Sequence, residues 1–141
     1  MTVRLRAHHL LCMLTYVGKG YSPGFVANYD AIAARLSQGE DIVIVAGPDD
    51  ICAPLVQEPD SHCHEPRIDQ RDELAIRDVG ALMRMSVRTG TRITLTPALL
   101  ARFRGAFVAN LTRSACVGCE WSGLCSEVAR DRYRDSRVQR D

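Results

Sequence analysis

Cys116-Val117-Gly118-Cys119-Glu120-Trp121-Ser122-Gly123-Leu124-Cys125 gathers three of the chain's six cysteines within ten positions. Two of them form a C-x-x-C step with Gly118 inside it. Glycine permits the tight backbone that turns two thiolates toward one centre. Cys125 follows after five intervening residues, where Gly123 offers a second bend. A closed cysteine-ligated metal site takes four protein ligands, so this C-terminal knuckle supplies three and the rest of the chain supplies the fourth. The other cysteines are Cys12, Cys52 and Cys63. The fold is read accordingly, as a scaffold that brings the middle of the chain onto the knuckle.

Bulk properties narrow the class. A chain of 141 residues is long enough for one domain with an ordinary core, and 46% hydrophobic with 25% charged residues is usual for a globular protein. A net charge of +1 gives no field that favours nucleic acid or an anionic membrane, and neither is expected as a partner. Arg4 and Arg6 precede an apolar run at residues 10–17, but His8 and His9 interrupt it. Gly18-Lys19-Gly20 stands where a signal peptide would have its small-residue cleavage site. The run is also too short to span a bilayer. The expected location is the cytoplasm, where thiols stay reduced and clustered cysteines bind metal or do redox work.

Hydrophobic periodicity predicts a helix over residues 7–17, with Ala7, Leu10, Leu11, Leu14 and Val17 as its core face. His8 and Cys12, four apart, share another face, and Cys12 is read as a packed thiol of this helix rather than a ligand. Ser22-Pro23 opens a second helix with the stripe Phe25, Tyr29, Ile32, Leu36, which Gly39 stops. The run from Asp41 through Ile42-Val43-Ile44-Val45 to Ala46 reads as a buried strand. Asp49 and Asp50 are candidate caps for a turn that carries Cys52, whose thiolate amides and dipole there would favour. A proline-punctuated loop then holds His62-Cys63-His64, a metal-type cluster. A third helix is predicted over 69–83, its mixed charges read as a solvated face. A half-buried strand follows over 91–95. Thr96-Pro97 then starts a fourth helix with Leu99, Leu100, Phe103, Phe107 and Leu111 inward. The two strands, if parallel, need a right-handed crossover that leaves Cys52 at their C-terminal edge. The expected architecture is α+β: one small α-rich domain over residues 1–125 with a two-stranded sheet and the cysteine knuckle, then a charged helix or tail over 126–141.

Arg6-Ala7-His8-His9-Leu10-Leu11-Cys12, Gly18-Lys19-Gly20-Tyr21-Ser22, Asp49-Asp50-Ile51-Cys52 and Cys116-x-x-Cys119-x-Trp121 with Cys125 together resemble the bacterial and archaeal family called domain of unknown function 1284. The resemblance implies a cysteine-ligated cofactor of the iron–sulfur kind and no established reaction. The family pattern has a further cysteine three residues after the Asp-Asp-Ile-Cys word, where this chain has Leu55. One site shared between the middle of the chain and the knuckle still has enough thiolates.

Three functions compete on these residues. The first is a [4Fe–4S] cluster on Cys116, Cys119, Cys125 and one of Cys52 or Cys63. The second is structural zinc on the same residues, with His64 as a mixed ligand. The third is a metal-free thiol redox protein using Cys116 and Cys119, which leaves Cys125 unexplained. Should the protein be an enzyme, His8 and His9 are the candidates for proton transfer, with Asp49 and Asp50 as the carboxylates that orient them.

Overall fold

The computed structural model describes residues 2–55 and 66–140. Three strands, β1 (Thr2–Arg6), β2 (Asp41–Val45) and β3 (Arg92–Ile93), form one sheet in that order. The described residues also form the helices α1 (His9–Cys12), α2 (Pro23–Ser37), α3 (Pro66–Met83), α4 (Pro97–Val108) and α5 (Ser122–Arg130). This is an α+β domain with a small sheet.

The sheet has one strand more than the sequence reading gave it. Val3 and Leu5 are buried and Arg4 exposed, the period-2 signature of a strand, but over only five residues. β1 lies parallel to β2, with Leu5 opposite Ile44, and the connection runs through α1 and α2. The parallel case considered for β2 and the strand near residue 92 does not hold: β3 is antiparallel, with Ile42 opposite Ile93. The chain enters β3 through a turn at Gly90, whose N–H meets the Ile44 carbonyl at 2.8 Å. β2 also alternates, with Ile42 and Ile44 buried and Val43 and Val45 half-buried, so the apolar run does not mean burial on both faces.

The longer helices form where their caps predict. Ser22 Oγ accepts the Phe25 N–H at 3.1 Å with Pro23 next in line, and Thr96 Oγ1 accepts the Leu99 N–H at 3.1 Å ahead of α4. Phe25, Tyr29, Ile32 and Leu36 are all buried. Leu111 is exposed, because α4 stops at Val108 and Asn110 turns the chain at φ +64°.

The segment beyond residue 125 is packed onto the domain. α5 straddles the expected boundary, Tyr133 and Val138 are buried, and the Tyr133 hydroxyl donates to the Arg104 carbonyl at 2.7 Å. The Arg137 N–H donates to the Tyr16 carbonyl at 2.8 Å. Interleaved charges hid two apolar anchors of the segment, Tyr133 and Val138.

Candidate metal centre

α1 is short because the expected helix over 7–17 tightens after Cys12 into a 3-10 turn, Met13–Thr15. Leu10, Leu11, Met13 and Leu14 go into the core. That leaves Cys12 half-buried on the opposite side, facing a cavity of about 130 Å³. The same cavity is lined by Cys116, Cys119 and Cys125. Four thiols from the two ends of the chain therefore share one pocket. Thr15 at the end of the 3-10 turn donates its hydroxyl to Cys125 Sγ at 3.0 Å and ties the two ends together.

The knuckle is built of turns. Ser114–Cys116 is a 3-10 turn, and the Cys119 N–H returns to the Cys116 carbonyl at 3.0 Å. Gly118 closes that step at φ +78°, a left-handed conformation that glycine adopts without strain. Side chains from other elements hold the knuckle from outside. Asp78 accepts the Ser114 N–H at 3.1 Å, and Trp121 Nε1 donates to the Tyr21 hydroxyl at 2.9 Å. Arg113 lies over the Phe107 ring, 4.6 Å from its centroid, and reaches Ser126 Oγ at 2.7 Å.

Burial favours the neutral thiol at Cys12, Cys116 and Cys125. Burial pushes the Cys12 thiol well up, and the nearby Cys125, Cys116 and Cys119 push it further. Burial also raises Cys116 and Cys125, against the downward pull of Arg113 on the first and of the Thr15 hydroxyl on the second. Neighbouring thiolates repel one another, so a bound cation would compensate their charge.

A second polar cluster borders the pocket at the start of α1. His8 Nδ1 meets Asp72 Oδ1 at 2.6 Å, and His9 Nδ1 meets Asp49 Oδ2 at 2.6 Å. Asp49 is fully buried, and it also accepts the N–H groups of Arg6 at 2.8 Å and Cys52 at 3.0 Å. The imidazole and these amides pull its pKa down to about 2 against the upward effect of burial. Asp72 is held below its ordinary value too, where His8 and Arg6 outweigh burial. Arg6, 1% exposed, donates from Nε to Asp72 at 2.9 Å and from Nη2 to Asp69 at 3.1 Å. Burial, with the neighbouring His9, lowers His8 to about 4, so its imidazole is neutral at neutral pH. Because both carboxylates only accept, each Nδ1 carries its hydrogen and Nε2 is the free nitrogen of each ring.

Two sets of three ligand-type side chains have donor atoms that all lie within 4.8 Å of one another: His8–His9–Cys12 and His9–Asp49–Cys52. These groupings are close enough to hold a metal ion.

The family described as "Protein of unknown function (DUF1284)" matches residues 20–125. The chain belongs to this family. The matched stretch takes in α2, Cys52 and the knuckle, while the His8–Cys12 corner precedes it. No curated protein and no solved structure matches the chain. No helix among the described residues is long and apolar enough to cross a membrane.

The residues singled out from sequence separate into groups. Cys116, Cys119 and Cys125 come together, and Cys12, read as a core thiol, joins them. Cys52 is buried beside Asp49 and is not among the residues lining the pocket. His62, Cys63 and His64 lie outside the described residues. His9 pairs with Asp49 and His8 with Asp72, whereas Asp50 accepts the Arg4 N–H at 2.8 Å. Sequence reasoning missed Asp72, one acid among many on a charged helix. The four-residue step from His8 to Cys12 was the signal that could have placed Cys12.

Proposed function

We propose that this protein carries a [4Fe–4S] cluster held by Cys12, Cys116, Cys119 and Cys125. The observation behind this reading is the shared pocket: four thiols from the two ends of the chain line one cavity. The donor set fits, since thiolate-only ligation with a C-x-x-C step is what such clusters take. Cys52 and Cys63 are then not needed as ligands.

When bound, the cluster supplies one-electron transfer. The chain's own residues hold its ligands and limit access to it. Thr15 donates to the Cys125 sulfur, and Arg113 lowers the Cys116 thiol, so both favour the ionised forms a metal needs. The Trp121–Tyr21 pair and Phe25 line the cavity with aromatic surface.

Protein purified without air and assayed for iron, acid-labile sulfide and zinc tests this reading. Iron and sulfide in equal amounts, about four each per chain, are the expected result for this cluster type. Stoichiometric zinc without sulfide would assign the four thiols to a structural zinc site, and metal-free protein would favour thiol redox work at Cys116 and Cys119.

A further inference from the structure

The cluster reading leaves His8 and His9 without a role, yet both line the same cavity. Their Nδ1 atoms are each held at 2.6 Å by a carboxylate, Asp72 for His8 and Asp49 for His9. Carboxylate-backed imidazoles with Nε2 free are the usual arrangement around metal-ligating histidines. The two rings lie 4.4 Å apart, and one ring nitrogen of each, Nδ1 or Nε2, falls within 4.8 Å of the other and of the Cys12 sulfur. Tyr29 adds an independent observation. It lines the cavity, stacks on Tyr16 at 3.8 Å, and its buried hydroxyl has no hydrogen-bond partner among the described residues. A buried hydroxyl left unpaired costs roughly 1–3 kcal/mol, so this one calls for a partner that the chain does not provide.

We propose that His8 and His9 bind one divalent transition-metal ion through their Nε2 atoms, with the Cys12 thiolate shared between that ion and the four-thiolate site. Two imidazoles and one thiolate suit zinc, iron(II) or cobalt(II). Three protein ligands leave a coordination position open, and the Tyr29 hydroxyl is the donor for a water or substrate atom bound there. This rests on Cys12 being a ligand of the thiolate site.

The test uses protein with its thiolate site filled, dialysed against a weak chelator and titrated with cobalt(II). One equivalent per chain is expected to bind, with the strong visible bands of four-coordinate cobalt and a thiolate charge-transfer band. The comparison is the double variant His8→Asn, His9→Asn. Each asparagine keeps a donor for its aspartate and lacks the Nε2 atom. It should keep the iron and sulfide content and the thermal midpoint and lose the cobalt bands. Cobalt bands of full strength in the double variant, or no cobalt binding by wild-type protein with full sulfide, would overturn the proposal while leaving the cluster reading intact. A Cys12→Ser variant separates the two: full iron and sulfide there would overturn the four-thiolate reading, and the shared thiolate with it.

Discussion

The two ends of the chain meet at one pocket but are built in opposite ways. The His8–Cys12 corner continues directly from a strand of the sheet, and both of its imidazole Nδ1 atoms are already paired with carboxylates. Asp49 alone accepts three hydrogen bonds, from His9, Arg6 and Cys52. The knuckle is a chain of turns with a left-handed glycine and half-buried thiols, tethered from outside by single bonds such as Trp121 to Tyr21. The first end is expected to hold its order without metal, and the knuckle to gain order when a cation binds its thiolates.

The largest effect expected from this contrast is on metal content. Cys116→Ser or Cys119→Ser removes a knuckle ligand, and a serine hydroxyl is a far poorer ligand than a thiolate. Both should leave the protein without metal, and Cys12→Ser should do the same from the rigid end. Cys52→Ala should keep full metal and lose only about 1–2 kcal/mol, for a small cavity beside Asp49. Metal analysis with urea unfolding reads both. A metal-free Cys52→Ala protein that is still folded would move the fourth ligand back to the middle of the chain.

The next effect belongs to the rigid end alone. Arg6→Ala leaves the Asp72 carboxylate with only the neutral His8 imidazole and backbone N–H beside it, and breaking one partner of such a buried pair costs about 3–5 kcal/mol. Arg6→Lys should recover only part of this, since an ammonium cannot span Asp69 and Asp72 as the guanidinium fork does. Denaturant midpoints of the metal-free proteins give the comparison. A loss under 1 kcal/mol would mean that the corner is held by packing instead.

His8 gives that corner a pH signature. Its folded pKa is lowered to about 4 from an ordinary 6.5. The unfolded chain therefore takes up the proton first as pH falls. Stability from this group is complete above the unfolded value, declines between about 6.5 and 4, and levels off below. The full decline is about 3 kcal/mol. It should appear in metal-free protein by urea unfolding at stepped pH and vanish in His8→Asn. An unchanged slope in that variant would assign the effect to another group.

The same contrast explains what the sequence made legible. The caps Ser22 and Thr96, the apolar stripe of α2 and the strand at β2 rest on local patterns, and local patterns are what a sequence displays. The knuckle was legible for the same reason, its three cysteines being neighbours in the chain. The partner end was not. Cys12 and Asp72 gain their roles only from long-range packing: Asp72 meets His8 and Arg6 across more than sixty residues, and Thr15 meets Cys125 across 110. Nothing in their own neighbourhoods distinguishes them from an ordinary core thiol and an ordinary surface acid. β1 was missed because five residues with basic flanks give a period too short to stand out.

The smallest effect tests the knuckle's dependence on metal most directly. Gly118 sits at φ +78°, and a Cβ built there meets nothing within 4 Å, so substitution costs only backbone strain. Alanine in the left-handed region costs about 1 kcal/mol, and asparagine, which visits it more readily, costs less. If the knuckle is ordered by metal, the strain exists only in the metal-bound state. Gly118→Ala should then leave the urea midpoint of metal-free protein unchanged and weaken metal binding about fivefold in a chelator competition, the equivalent of about 1 kcal/mol. Gly118→Asn should fall between alanine and wild type. An equal loss of stability in the metal-free protein would show that the knuckle is already folded before metal arrives, and that the two ends differ less than their construction suggests.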